Sequence, residues 1–276
     1  MTNEERNNLI MSKLSIYLNN YSDYITKEMI DNIKKEFDFN DLESFKIILT
    51  SLLEITDKEL IHEFDKIVFE LDKNKYEDNL YYKNISFKNI KSNKWSFRYE
   101  SYKPYEAFVF NDLRKINDKL YPCIGYFKEE YKYPAVLENN REWMLITPNE
   151  IETMEKPINE ATGNVLTYGL GLGYYAYMVS MKEDVKTVTI VEKDKEIIEL
   201  FNKYILPQFR FKDKIRIINM DAFEYFKKNI YYDFVFVDIW HDPSDGIDLY
   251  LKFKNLEKKN IKYSYWIEDT IKCYIE

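Results

Sequence analysis

The fold is decided by residues 164–173, where Asn164-Val-Leu-Thr-Tyr168 runs directly into Gly169-Leu-Gly-Leu-Gly173. The apolar half predicts a buried strand, and the glycine half predicts a tight loop leading into a helix that ends near Met181. At average usage a chain of this length would hold about 19 glycines, yet this one has six. Because glycine lacks a Cβ, the glycines of this loop would allow the backbone to approach a ligand closely.

Beyond the loop, apolar strands alternate with helical stretches. Further strands are predicted at 188–191, 215–218, 234–238 and 261–267. Near-continuous apolar strands separated by helices are typical of a parallel sheet that is covered on both faces. Since only about nine residues follow the last of these strands, the sequence predicts an α/β sheet of five strands.

Changes in periodicity divide the chain into three predicted domains. Apolar residues at helical spacing dominate the first part, where Thr26 and Asn40 or Asp41 are candidate helix starts. Alternation in Trp95-Ser-Phe-Arg-Tyr99 then indicates strands. The predicted divisions are a helical N-terminal domain at 1–80, a small β-rich unit at 81–160 and the α/β domain at 161–276.

Composition argues against several classes of protein. The chain has no apolar run of about 18 residues, as a membrane span requires, and its first residues lack the pattern of a signal peptide. Cys123 and Cys273 form no partner motif, so neither a disulfide framework nor a zinc site is expected. His62 and His241 are the only histidines, so no histidine metal centre is expected. We therefore expect a cytoplasmic protein without a bound metal or a membrane partner.

The net charge of −8 lies wholly in the first 80 residues, which hold 18 acidic and 10 basic side chains. An acidic surface repels phosphate, so nucleic acid is not an expected partner. A basic, aromatic stretch at 81–99 is the local exception. Such a stretch can follow a single nucleic acid strand, but we interpret it as a strand edge that lysines protect from aggregation.

Two acids follow strands at positions suited to a nucleoside. Glu192 ends the second strand, 19 residues beyond Gly173, where a carboxylate can accept hydrogen bonds from both ribose hydroxyls. Asp221 follows the third strand and can accept from an adenine amine, with Ala222 leaving room for the ring. The alternatives are a solvated acid for Glu192 and a helix N-cap for Asp221. The loop is not a dinucleotide fingerprint, because Tyr174 takes the place of its last glycine or alanine.

The candidate catalytic residues follow the fourth strand. In Asp238-Ile-Trp-His-Asp242, the residues Asp238, His241 and Asp242 can remove a proton from a nucleophile at the ligand-facing edge of the sheet. Trp240 can lie against the adenine or receive a cationic substrate. The alternative is a loop that its own polar side chains hold together.

These segments resemble the class I S-adenosylmethionine-dependent methyltransferase superfamily over residues 161–245. They are most similar to its spermidine synthase (polyamine aminopropyltransferase) branch, in the stretches Val191-Glu-Lys-Asp-Lys-Glu, Lys203-Tyr-Ile-Leu-Pro207, Asp221-Ala-Phe-Glu-Tyr-Phe and Tyr232-Asp-Phe-Val-Phe-Val-Asp238. The resemblance implies a Rossmann-like sheet that here stops two strands short of the usual seven. It also implies S-adenosylmethionine as the cofactor. Its methionine part would lie on the loop residues Gly169, Leu170, Gly171 and Gly173, its ribose on Glu192 and its adenine on Asp221.

The sequence also departs from that family. The synthases have an aspartate where Leu172 stands, and Asp-Ser-Ser-Asp-Pro where this chain has the longer Asp238-Ile-Trp-His-Asp242-Pro243. The missing loop aspartate favours ordinary S-adenosylmethionine over an aminopropyl donor. The first hypothesis is therefore a methyltransferase-like enzyme that acts on a small or peptide-like acceptor.

Two other hypotheses remain open. One is an aminopropyltransferase like spermidine synthase, and the other is a non-catalytic binding or assembly module on a degenerate cofactor fold. A homo-oligomer is expected through the N-terminal domain or the exposed edge of the truncated sheet.

Overall fold

The computed structural model describes residues 3–19, 25–116 and 119–275. Its helices are α1 (Asn3–Asn19), α2 (Lys27–Phe37), α3 (Asp41–Leu52), α4 (Lys58–Glu63), α5 (Lys73–Glu77), α6 (Leu80–Asn84), α7 (Pro148–Glu160), α8 (Tyr174–Ser180), α9 (Lys195–Tyr204), α10 (Ala222–Phe226), α11 (Pro243–Leu256) and α12 (Glu268–Ile275). Its strands are β1 (Val68–Glu70), β2 (Ile90–Lys91), β3 (Trp95–Tyr102), β4 (Phe108–Ile116), β5 (Lys119–Tyr126), β6 (Tyr131–Glu138), β7 (Arg141–Leu145), β8 (Gly163–Tyr168), β9 (Val185–Glu192), β10 (Ile215–Asn219), β11 (Phe234–Val237) and β12 (Lys262–Tyr265). No helix within these ranges is both long enough and apolar enough to cross a membrane.

The first of two compact units comprises Met1–Lys75 and Ser101–Lys132. In its three-stranded sheet, β5 lies between β1, to which it is parallel, and β4, to which it is antiparallel. Helices α1 to α4 share one apolar core with β1 and β5. Within that core Phe45 of α3 stacks on Tyr126 of β5, with 4.0 Å between ring centroids. The unit is therefore a helical layer on a small mixed sheet.

The sequence predicts the helix starts of this unit better than its extent. Thr26 and Asn40 cap α2 and α3 through their side chains, as predicted. The unit does not end near residue 80, however, because the chain enters it a second time at 101–132. The reason is β1, whose backbone groups would stay unpaired without a neighbouring strand and which pairs with β5.

The second unit comprises Tyr76–Glu100 and Tyr133–Glu276 and contains the predicted parallel sheet. The strand order is β10-β9-β8-β11-β12, with every neighbouring pair parallel. In order of appearance this is 3-2-1-4-5, so the chain reverses direction across the sheet beside β8. Ligands of such sheets bind at the carboxyl ends of the strands, at this reversal.

Helices cover both faces of the parallel sheet. Val165 and its cross-strand partner Phe234 belong to one buried cluster, whereas the adjacent pair Leu166 and Val235 belongs to another. This alternation confirms the prediction of an α/β sheet that is buried on both sides. Within the described residues β12 is the last strand and α12 follows it, so the predicted five-stranded sheet is confirmed.

A second, antiparallel sheet contributes to this unit through the order β2-β3-β6-β7. β6 and β7 form a hairpin whose turn residues Asn139 and Asn140 have positive φ angles of 51° and 65°. That conformation suits asparagine and matches the twist of a tight hairpin. From β7 the chain passes through α7 directly into β8.

Candidate active site

The glycine loop joins β8 to α8 as predicted. Gly169, Gly171 and Gly173 have positive φ angles of 99°, 48° and 73°. A Cβ on Gly169 would collide with the carbonyl oxygen of Asp238. A Cβ on Gly173 would collide with the ring of Phe201. Two of the three glycines are therefore required by packing within the protein itself, and the first of them brings the ends of β8 and β11 together.

Gly171 has a different neighbour. A Cβ at this position would meet the sulfur of Met144, which extends from β7 onto the loop. The backbone N–H of Leu172 donates to the same sulfur at 3.0 Å. Leu170 and Leu172 are both buried, at 5% and 0% exposure. This part of the loop is consequently apolar, and a methionine side chain covers it.

Glu192 supports the loop from the end of β9. Its Oε2 accepts from the backbone N–H of Leu170 at 3.2 Å, and its Oε1 accepts from that of Asp194 at 2.8 Å. Burial raises the pKa of Glu192 above its usual value, and these hydrogen bonds oppose that shift. The backbone N–H of Lys193 acts on this carboxylate as well, and since a carboxylate has about four lone-pair positions, one remains for a hydroxyl. The side chain is therefore a fixed acceptor at the strand end and not a freely solvated acid.

Asp221 caps α10 from the end of the neighbouring strand β10. Its Oδ1 accepts from the backbone N–H groups of Phe223 at 2.9 Å and Glu224 at 3.2 Å. Oδ2 accepts no hydrogen bond from the described residues. The N-cap alternative is thus confirmed, while one carboxylate oxygen stays available at the edge where Glu192 ends the adjacent strand. Ala222 packs against the core beneath it.

Asp238 is the candidate catalytic residue that lies within the protein. Its backbone N–H donates to the carbonyl of Tyr168 at 3.0 Å, which fixes it beside the glycine loop. Its carboxyl group is partly buried and accepts no hydrogen bond from any residue that the structure describes. Burial raises the pKa of this carboxyl to about 7. Asp238 can therefore hold or release a proton near neutral pH.

A second acid, Glu150, which sequence patterns do not single out, accompanies Asp238. Glu150 lies in the first turn of α7 and is only 6% exposed. Burial raises its pKa well above the usual value, and the charge of Asp238 raises it further. An acid in a first helical turn is ordinarily explained by the helix dipole, so nothing in the local sequence distinguishes it. We call Glu150 and Asp238 the acid pair.

The acid pair makes the stability of the protein depend on pH. The pKa of Asp238 rises from an ordinary 3.8 to about 7 on folding, so the folded state keeps a proton that the unfolded state has lost. The stability present below pH 4 is therefore lost as the pH rises towards 7.

We expect Asp238→Asn to be more stable than the wild type at pH 8 by about 2 kcal/mol, since one pKa unit corresponds to about 1.4 kcal/mol and the pair shares the effect. Thermal unfolding at pH 5 and pH 8 measures the difference. The exposed Asp248→Asn is the matched control. A variant that loses stability at pH 8 would contradict the burial of this charge.

The two other candidate catalytic residues hold their own loop together. Asp242 caps α11 and accepts from the backbone N–H of Ser244 at 2.7 Å. Asp245 accepts from the backbone N–H of His241, and its Oδ2 lies 3.0 Å from the ring Nδ1 of that histidine. The alternative of a self-supporting loop therefore describes His241 and Asp242, and the structure does not bring their side chains into the acid pair.

Trp240 lies in the core and does not form an exposed side of the ligand crevice. It is 5% exposed, and its ring packs against Gly246 of α11, where a Cβ would come within 2.9 Å of it. Its Nε1 has no hydrogen-bond partner among the described residues.

Across residues 3–19, 25–116 and 119–275, no group of three or more His, Cys, Asp or Glu side chains is arranged to hold a metal ion.

Comparisons with known proteins agree with the architecture of the second unit. Residues 151–258 match the family described as Spermine/spermidine synthase domain. The chain is similar to a polyamine aminopropyltransferase of Oceanobacillus iheyensis, with 29% identity over 147 residues. That alignment covers 50% of this chain but only 27% of the relative.

Two solved structures were also found. One is the spermidine synthase from Thermotoga maritima, with 15% identity, a TM-score of 0.35 and coverage of 52% of this chain and 57% of that one. The other is a putative SAM-dependent methyltransferase from Streptococcus mutans, with 17% identity, a TM-score of 0.36 and coverage of 51% and 43%. Together with the 3-2-1-4-5 strand order, the domain match confirms a class I methyltransferase-like fold that resembles spermidine synthase.

Proposed function

We propose that the second unit binds an S-adenosyl donor and transfers an alkyl group from the donor's sulfonium to an amine of a small or peptide-like acceptor. The observation that carries this proposal is the acid pair. Glu150 is buried and Asp238 is partly buried, and their carboxyl groups, with no hydrogen bond to any described residue, lie beside a glycine loop at the carboxyl edge of a parallel sheet. Unpaired buried acids are costly, and a cationic amine would relieve that cost.

The residues around the loop fit the nucleoside part of such a donor. Glu192 keeps one lone-pair position for a ribose hydroxyl, and Asp221 keeps Oδ2 for the adenine amine. Both lie at the ends of adjacent strands. When bound, the donor would supply a carbon that its positive sulfur makes electrophilic.

The acid pair would prepare the acceptor. A primary or secondary amine is protonated at neutral pH and is attracted to carboxylates, but it attacks carbon only after it has lost a proton. Asp238, with its pKa near 7, can take that proton on a carboxylate oxygen. Glu150 lies close enough for the two charges to interact, and its raised pKa keeps it protonated, so the negative charge that holds the cation would lie on Asp238.

The transferred group has two candidates. The domain match at 151–258 and the curated relative support an aminopropyl group. The buried Leu172, which replaces the loop aspartate of the synthases, supports a methyl group instead. The two reactions leave different nucleosides, because removing aminopropyl from the decarboxylated donor leaves methylthioadenosine and removing methyl from S-adenosylmethionine leaves S-adenosylhomocysteine.

The test is to incubate the protein with each donor and a panel of diamines, polyamines and lysine peptides, and to identify the nucleoside product by mass spectrometry. We expect one of the two nucleosides to form, only when an amine is present. Reactions without an acceptor are the control. If both donors bind but no amine yields either nucleoside, the chain is a binding module and the proposed transfer is wrong.

A further inference from the structure

At Gly171 the candidate donor site is covered by a side chain that can move, that of Met144. The positions beside it are fixed, because Gly169 faces a backbone carbonyl and Gly173 faces a buried aromatic ring. Gly171 instead faces the thioether of Met144, which also accepts the N–H of Leu172. Methionine has three rotatable side-chain bonds, and its sulfur is a weak acceptor. A ligand can therefore displace this contact at little cost.

Strand β7, which carries Met144, brings its side chain to the glycine loop at Gly171. β7 also carries Trp143, whose ring meets that of His241 edge-on, with 4.3 Å between centroids. A second edge-on contact joins Trp143 to Trp95 of β3, at 5.7 Å. Consecutive residues of β7 thus contact the loop after β11 and the loop after β8. The backbone of β7 is held by its pairing with β6 and by the ring contacts of Trp143, so the Met144 side chain can move without it.

The surroundings of Met144 discriminate among donor tails. Leu170 and Leu172 are buried, so the part of the loop that Met144 covers is apolar. The ammonium and the carboxylate that end the tail of S-adenosylhomocysteine would both lose hydration against this apolar surface. A short apolar tail would incur neither cost.

We propose that Met144 is a specificity-determining residue that occupies the tail position of the donor site. Nucleoside thioethers with a short tail bind with Met144 in place, whereas those with a long, charged tail bind only after its side chain has turned away. The inference rests on the proposed donor site and adds to it the residue that discriminates between short and long donor tails.

Calorimetric titration with methylthioadenosine and S-adenosylhomocysteine tests this inference. The two ligands share the adenosine part and the sulfur and differ in the tail. For the wild type we expect methylthioadenosine to bind at least tenfold more tightly. In Met144→Ala the affinity for S-adenosylhomocysteine should rise at least tenfold, while that for methylthioadenosine changes by less than threefold. Met181→Ala, a partly buried methionine of the same core, is the matched control and should leave the ratio unchanged.

A second measurement uses the wild-type protein, so that it does not depend on the folding of the alanine variant. The ε-methyl NMR signal of Met144, assigned with Met144→Leu, should shift strongly with S-adenosylhomocysteine and little with methylthioadenosine. Equal shifts with both ligands, or an affinity ratio that Met144→Ala leaves unchanged, would overturn the role of Met144 but not the donor site. A wild-type protein that binds neither nucleoside would overturn the donor site, and the inference with it.

Discussion

Replacing Asp238 by asparagine is expected to lower kcat for amine alkylation by about 100- to 10,000-fold, the range that a positioned general base contributes. The amide cannot take a proton from the acceptor amine, although it nearly preserves the shape of the side chain. In the wild type, activity should rise as the pH increases through about 7, where the carboxyl of Asp238 loses its proton. In Asp238→Asn the inflection near pH 7 should be absent, and the residual rate should keep rising towards pH 9 as more of the acceptor amine loses its proton to solvent.

Initial rates between pH 5 and 9 measure both effects, and Asp248→Asn, an exposed acid on α11, is the matched control. The activity loss should accompany the gain in stability at high pH, because the same buried charge would be responsible for both. A fully active Asp238→Asn would show that another group takes the proton.

Gly169→Ala is expected to cost the second unit about 3 kcal/mol or more. The substitution places a Cβ against the backbone carbonyl of Asp238 at a φ of 99°, so both the conformational strain and the collision oppose folding. Since the colliding atom is main chain, it can move only if the end of β11 moves. Transfer activity should therefore fall together with stability.

Gly171→Ala is the matched comparison for this prediction. It also has a positive φ, but its Cβ would meet only the movable sulfur of Met144, so we expect a cost of about 1 kcal/mol. All four tryptophans belong to the second unit, and denaturation followed by tryptophan fluorescence therefore reports on it. Equal costs for the two variants would contradict the close approach of Gly169 to Asp238.

The parallel sheet and its loop could be predicted because their signals are local. The apolar run that precedes Gly169 and the acid 19 residues beyond Gly173 are read from neighbouring positions, and the structure places Glu192 at the end of β9 with its carboxylate against the loop. The capping role of Asp221 was foreseen as an alternative for the same reason, since an N-cap depends only on the residues that follow it.

The rest depends on contacts between distant segments. Glu150 becomes a buried neighbour of Asp238 only when α7 and β11 meet, 88 residues apart in the chain, and a single sequence carries no sign of that meeting. The same holds for the pairing of β1 with β5, which moves residues 101–132 into the first unit. His241 and Trp240 are candidates by residue type alone, but the structure pairs His241 with Asp245 and packs Trp240 against Gly246.

The glycine loop and Glu192 are proposed to form a nucleoside site. Glu192→Gln probes that site, because the amide keeps the size of the side chain and one acceptor oxygen but loses the negative charge and the acceptor capacity proposed for the ribose. Glu199→Gln on α9, an exposed acid, is the matched control.

Calorimetric titration of the wild type and both variants with methylthioadenosine and S-adenosylhomocysteine is the decisive measurement. We expect the wild type and Glu199→Gln to bind at least one of these nucleosides, and Glu192→Gln to bind it at least tenfold more weakly. A wild-type protein that binds neither nucleoside at millimolar concentration, or a Glu192→Gln variant with unchanged affinity, would show that Glu192 and the glycine loop do not form this site.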